Sequence, residues 1–279
     1  NLYGKCEFLN PSHSIKDRAA YAMIKKALDE AHISKETTII ECTSGNMGIS
    51  LAMICATLGL KIILTMPESM SIERRKMMAL FGAKLELTPA SEGMKGAYER
   101  ALALHKEIKN SFIPSQFENL ANKFAHRENT AVEILNDLDG KIDYFVAGFG
   151  TSGTISGVGE VLKEKFADKV KIIAVEPAAS PLLSEGKAGG HKIQGIGANF
   201  IPKILNQSVI DEIQTISNED AIATARELAL KNGLMVGISS GANVFIASKI
   251  AKANPDKIIV TMLNDTAERY LSTDLFAGI

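Results

Sequence analysis

Short apolar runs alternate with longer amphipathic ones along most of this chain, and no other feature restricts its fold as much. Residues 38–41, 61–66, 84–87, 144–147, 171–175 and 258–262 read as strands, and residues 72–81, 94–108, 130–138 and 221–231 as helices between them. Strands that alternate with helices pair in parallel, because the crossover helix returns the chain to the same sheet end, and such sheets are covered on both faces. The length of 279 residues suits one large or two moderate domains, and 46% hydrophobic residues can fill their cores. The most apolar region, residues 47–66, is broken by Gly59 and Lys61 into a helix and a strand, so it is no membrane span. A net charge of −1 gives no electrostatic footprint for nucleic acid or an anionic membrane. Cys6, Cys42 and Cys55 are odd in number and match no metal spacing, and the five histidines form no ligand group. No metal site is expected, and a reduced, cytoplasmic setting is the simplest reading.

Three motifs sit at the joints of this pattern. In residues 10–18, Asn-Pro-Ser-His-Ser-Ile-Lys-Asp-Arg, a Pro/Ser/His turn leads into the helical run Ala19, Ala20, Met23, Ile24, Ala27, Leu28. Ser12 or Ser14 would cap that helix, with Lys16 and Asp17 in its first turn. Asp17 suits the positive end of the helix dipole and Lys16 does not, so the lysine pKa tends downward, as in lysines that form Schiff bases. A solvated surface lysine is the plainer alternative. Residues 43–48, Thr-Ser-Gly-Asn-Met-Gly, join a strand to a helix and offer backbone N–H groups to an anion; an ordinary turn would look similar. Residues 148–157, Gly-Phe-Gly-Thr-Ser-Gly-Thr-Ile-Ser-Gly, also join a strand to a helix and suit a phosphate. Gly148, Gly150 and Gly153 match a dinucleotide fingerprint only loosely, and no Walker lysine follows.

Taken together, these motifs resemble the cysteine synthases (O-acetylserine sulfhydrylases), which are fold-type II pyridoxal-phosphate (PLP) enzymes. Residues 66–75, 116–119, 191–197, 237–242 and 268–273 extend the resemblance over essentially the whole chain. It implies an α/β protein of two domains, tryptophan synthase β-like, each a mostly parallel sheet covered by helices, with PLP in the cleft between them. The smaller domain would span residues 13–118 and carry the substrate loop. The larger would comprise residues 1–12 and 119–279 and carry the phosphate loop. The sequence begins at Asn1, and the Gly-Asn-Thr-Pro segment of many relatives, which contributes to their homodimer, is not in it.

The resemblance also implies the chemistry. Lys16 would hold PLP and then serve as general base. Asn46 would bind the PLP 3′-oxygen, and Gly150, Thr151, Ser152, Gly153 and Thr154 its phosphate. Asp265 would stand beside the pyridine nitrogen, with Thr266 as its alternative if the register slips by one. Thr43, Ser44, Gly45, Met47 and Gln116 would form the substrate site, with residues 194–197 and 237–241 lining it or serving as packing turns. The implied reaction makes L-cysteine from O-acetyl-L-serine and sulfide, and the C-terminal tail of serine acetyltransferase is an implied partner. Three departures stand out: Met47 where many relatives have Thr, Ser152 for a usual Gly, and Asp265 where many have Ser. Alternatives are a cystathionine β-synthase-like enzyme, an O-phosphoserine sulfhydrylase, and a silenced binding protein.

Overall fold

The computed structural model describes residues 1–43 and 45–279. In chain order its main elements are β1 (Leu2–Cys6), α1 (Lys16–Asp29), β2 (Thr38–Cys42), α2 (Asn46–Leu58), β3 (Lys61–Pro67), α3 (Ile72–Leu80), β4 (Lys84–Thr88), α4 (Gly93–Glu107), β5 (Ser111–Phe112), α5 (Leu120–Ala125), α6 (Ala131–Asp137), β6 (Tyr144–Gly148), α7 (Gly153–Phe166), β7 (Lys171–Pro177), α8 (Leu182–Glu185), β8 (Glu212–Ile216), α9 (Asn218–Asn232), α10 (Ile238–Ala253) and β9 (Ile259–Leu263). The chain divides into two compact units, Lys16–Ala121 and the combination of Asn1–Ile15 with Asn122–Ile279.

In Lys16–Ala121 the sheet order is β4-β3-β2-β5, and every pairing is parallel. Successive strand residues face opposite sides, so one strand feeds two cores. Ile39, Ile62 and Leu64 join Ala19, Ala20, Met23 and Ile24 of α1 and Ile49 and Leu51 of α2. Ile40 and Ile63 turn the other way, to Ala101 and Leu104 of α4. The fully buried Ile and Leu side chains contribute roughly 1.5–3 kcal/mol each, so this two-sided filling is what holds the parallel sheet. As the sequence implies, the apolar stretch after residue 46 breaks at Gly59, whose φ of +69° ends α2, and β3 resumes at Lys61.

The larger unit has sheet order β1-β9-β6-β7-β8, again parallel throughout. Val146, Ile173 and Val175 face α9 and α10, while Phe145, Ala147, Ile172 and Ala174 face α7. Among the described residues no helix is long and apolar enough to cross a membrane.

Helix starts fall into two kinds. Ser71 and Ser217 cap α3 and α9, accepting from the N–H groups of Arg74 and Asp220. By contrast α2, α7 and α10 start at Gly45, Ser152 and Gly237 with no side-chain cap among the described residues. A helix start without a side-chain cap is the kind of place where backbone N–H groups can meet an anion. α1 begins at Lys16, so Lys16 and Asp17 stand in its first turn as the sequence implies. Ser14 lies in a bridge with Asp265.

Candidate active site

The phosphate-type loop is built at the end of β6. Ser152 has φ +72°, which aims the N–H groups of the α7 start to one side. Its side chain is buried, and its Oγ has no hydrogen-bond partner among the described residues. A buried hydroxyl without a partner costs about 1–3 kcal/mol unless a ligand satisfies it. The neighbouring glycines are required by space. A Cβ on Gly153 would lie 2.1 Å from Asn122 Oδ1, and one on Gly150 would lie 2.3 Å from the Gly195 carbonyl oxygen. Asn122 Nδ2 donates to Thr151 Oγ1 at 3.0 Å and so fixes the loop's other hydroxyl. Uncapped N–H groups, an orphaned hydroxyl and close-packed glycines fit a phosphate group.

This loop continues into a polar surface of the same unit. Gly197 N donates to the Phe149 carbonyl at 2.9 Å. A Cβ on Gly195 would stand 3.6 Å from Ser239 Oγ. Asn264 Nδ2 donates to that oxygen at 3.0 Å, and Asn264 N donates to Ser240 Oγ at 2.8 Å. Residues 194–197 and 237–241 therefore connect the loop to Asp265. Asp265 is 1% exposed and accepts from the Tyr270 hydroxyl at 2.6 Å. Gly237 backs it closely, since a Cβ there would meet Asp265 Oδ1 at 2.1 Å. Ile15 N donates to the Asn264 carbonyl at 2.9 Å, which ties down the segment that leads into Lys16.

The Lys16–Ala121 unit holds the remaining residues. Lys16 is half-buried at the start of α1. Its neighbour Asp17 is buried and accepts from Ser50 Oγ at 2.6 Å, which locks α1 to α2. Thr43 is buried at the end of β2, and half-buried Asn46 is the first residue of α2. Ser44 lies outside the described residues. Met47 is 2% exposed and belongs to the apolar core cluster that includes α1 residues. A thioether at that position follows the apolar side of α2 rather than the loop. Gln116 is buried just after β5, in a turn whose Ser115 N–H is held by Glu41 at 3.0 Å.

Sequence reasoning missed Asn122, Glu41, Asn243 and Tyr270. Asn243 Oδ1 accepts from Gly148 N at 2.8 Å while its Nδ2 donates to the Met262 carbonyl at 2.9 Å, stapling the strand ends beside the loop. Nothing local marks Asn122 or Asn243, whose roles arise from distant contacts. Glu41 did carry a signal, an acid inside the apolar strand Thr-Ile-Ile-Glu-Cys. Cys42 packs against the core cluster of Ile40, Ile63, Ala101 and Leu104, and burial pushes its thiol up to about 12, so it is an inert apolar residue.

Comparison with known proteins agrees with this geometry. The family model described as pyridoxal-phosphate dependent enzyme matches residues 1–265. The chain is 72% identical over 277 residues to cysteine synthase B of Campylobacter jejuni, covering 99% of this chain and 92% of that protein. The crystal structure of cysteine synthase from Entamoeba histolytica superposes with a TM-score of 0.95 at 43% identity, covering 99% of this chain and 82% of that one. That of O-ureido-L-serine synthase gives 0.96 at 42% identity, covering 100% and 88%. The cofactor is pyridoxal phosphate, for which the α7 start supplies a fitting phosphate cradle. The chain thus belongs to the pyridoxal-phosphate-dependent enzymes and, within them, to the cysteine synthases.

Proposed function

We propose that this protein makes L-cysteine and acetate from O-acetyl-L-serine and sulfide, replacing the acetoxy group at Cβ by a thiol. The observation that carries the cofactor half is the uncapped α7 start with its buried, unpartnered Ser152 hydroxyl. The choice of reaction is supported by the 72% identity to a cysteine synthase B.

When bound, pyridoxal phosphate supplies an electron-accepting ring that acidifies the α-proton of an attached amino acid. Gly150, Thr151, Ser152, Gly153 and Thr154 hold its phosphate, and Asn46 its 3′-oxygen. Asp265, which accepts from the Tyr270 hydroxyl, would be the carboxylate that meets the cofactor's ring nitrogen and would favour its protonated form. Lys16 would be the residue that carries the cofactor in the resting protein, and its amine would be free to act as a base once the amino acid is bound. The freed Lys16 amine removes the Cα proton, and acetate departs with the electron pair of the Cβ–O bond. Bisulfide forms the Cβ–S bond, and Lys16 returns the proton to Cα. Thr43, Ser44, Gly45 and Gln116 take the substrate carboxylate, aided by the uncapped α2 start. Met47 shapes this loop from beneath.

The two units correspond in this reading to a smaller substrate-loop domain and a larger cofactor domain. A homodimer in the cytoplasm is the assembly and setting we infer from the resemblance and from three free cysteines. A carboxylate site of this kind would also accept the C-terminal carboxylate of serine acetyltransferase.

A panel of substrates tests the reading. The PLP-loaded protein is offered O-acetylserine or O-phosphoserine with sulfide or homocysteine, and products are separated. Cysteine from O-acetylserine and sulfide as the fastest reaction is the expected result. Faster cystathionine formation, or preference for O-phosphoserine, would replace the proposal with that chemistry. No reaction in any combination would leave a binding protein.

A further inference from the structure

Glu41 is a buried acid inside a parallel strand, and the established chemistry leaves it without a task. Its side chain is 5% exposed in β2, and it forms no ion pair among the described residues. The reason for an acid there lies in the neighbouring strand. β2 pairs with β5 only through Thr38 with Ser111 and Ile39 with Phe112. Two residues further on comes Pro114, which has no N–H to give, so the ladder must stop. The next donor is Ser115 N–H, and Ser115 has φ +56°, a turn conformation that leaves the strand direction. Glu41 Oε2 accepts from that N–H at 3.0 Å and so replaces the missing backbone partner.

The turn it anchors is itself closed. The Ser115 carbonyl accepts from Glu118 N at 2.9 Å and Asn119 N at 3.0 Å, and Asn119 Nδ2 donates to the Pro114 carbonyl at 3.0 Å. Gln116 rides on this turn, buried. At the other end, Glu41 is followed by Cys42 and then Thr43, the first residue of the loop at the head of α2. One side chain thus joins the strand that carries the 43–48 loop to the turn that carries Gln116.

We propose that Glu41 is a positioning residue for the amino-acid substrate, setting Gln116 at a fixed place relative to the 43–48 loop so that both meet the substrate carboxylate. This rests on the assignment of Thr43 and Gln116 to that carboxylate. The role needs an acceptor of the right reach, not a charge. Burial pushes the Glu41 carboxyl up to about 8, against the opposing effect of the Ser115 and Cys42 N–H groups, so near neutral pH the group is largely protonated and its accepting oxygen suffices.

Two conservative variants separate reach from charge. Glu41→Gln keeps the reach and a carbonyl acceptor. Glu41→Asp keeps the acid but falls short by one methylene, about 1.5 Å. Both are compared as PLP-loaded enzyme with wild type by KM for O-acetylserine, KM for sulfide, kcat, and the Kd of L-alanine, which has the same carboxylate and no leaving group. Hydrogen exchange at the Ser115 amide and thermal unfolding complete the set. Glu41→Gln is expected to stay near wild type in every readout. Glu41→Asp is expected to raise the KM for O-acetylserine and the Kd of L-alanine roughly tenfold, with Ser115 protection lost and with kcat and sulfide KM unchanged. An Asp variant with unchanged KM and Kd would overturn the proposal, as would a Gln variant as impaired as Asp. Losses in kcat and thermal stability without a selective KM effect would assign Glu41 to packing alone and also overturn it. The underlying assignment is checked by Gln116→Ala: unchanged KM and Kd there would overturn the carboxylate site itself, whereas a raised KM there with an unaffected Glu41→Asp would overturn only the role of Glu41.

Discussion

Ser152 carries the sharpest residue-level consequence of the fold. Its hydroxyl is buried at the α7 start and unpartnered among the described residues, so a bound phosphate is its natural acceptor. Ser152→Ala is predicted to weaken pyridoxal-phosphate affinity by about tenfold, since a hydrogen bond to a charged group contributes roughly 1.5–3 kcal/mol. Equilibrium titration with the cofactor checks this, and kcat at saturating cofactor should be retained. Tyr270 orients Asp265 through a 2.6 Å hydrogen bond, and Asp265 is the residue proposed to meet the cofactor's ring nitrogen. Tyr270→Phe should shift the visible absorbance of the bound cofactor while leaving its phosphate affinity within a few-fold. Glu41 makes a pH prediction. Burial raises its carboxyl from the ordinary 4.5 to about 8, and the adjacent Cys42 thiol, pushed up to about 12, stays uncharged in that range. As pH rises from 4.5, the unfolded chain releases this proton first while the folded protein retains it. Stability from this group therefore falls between pH 4.5 and about 8 and levels off above. Urea unfolding across that range should show a shallower decline for Glu41→Gln than for wild type.

Elements that depend on continuous apolar runs were legible in the sequence, and those that depend on contacts made elsewhere were not. Strands β2, β3, β4, β6, β7 and β9 begin or end within a residue or two of the expected runs, because buried parallel strands are apolar throughout. β1, Leu-Tyr-Gly-Lys-Cys, is a half-exposed edge strand. β8, Glu-Ile-Gln-Thr-Ile, is a partly exposed edge strand in which polar residues interrupt the apolar ones, and β5 has only two residues because Pro114 cuts it short. The helix α10 was hidden by Gly237-Ile-Ser-Ser-Gly241, which reads as a turn. Gly241 is required inside the helix because a Cβ there would lie 2.1 Å from the Ala221 carbonyl oxygen of α9. The same reasoning gives a prediction at the phosphate loop. Gly153→Ala must displace Asn122, which holds Thr151, so cofactor affinity should fall by far more than in Ser152→Ala. Titration of both variants under one protocol decides between them, and equal affinities would contradict the close-packed cradle.

At the scale of the whole molecule, two parallel sheets bring the starts of α2 and α7, which carry no side-chain cap among the described residues, to the ends of β2 and β6. The α7 and α2 starts carry the sequence motifs of residues 148–157 and 43–48, so the strand-to-helix joints were legible from spacing, while their assignment to a cofactor and a substrate came from the family resemblance. Their supporting side chains, Asn122, Asn243 and Glu41, lie 29, 95 and 74 residues away in sequence from the partners they hold; only Glu41, an acid inside an apolar strand, carries a local signal. The most direct test of the account is product analysis of the pyridoxal-phosphate-loaded protein given O-acetyl-L-serine and sulfide, alongside a folded Lys16→Ala variant. L-cysteine and acetate in equal amounts from wild type, with turnover lost in Lys16→Ala, is the predicted result. Equal turnover by both proteins, or acetate release without cysteine from wild type, would contradict it.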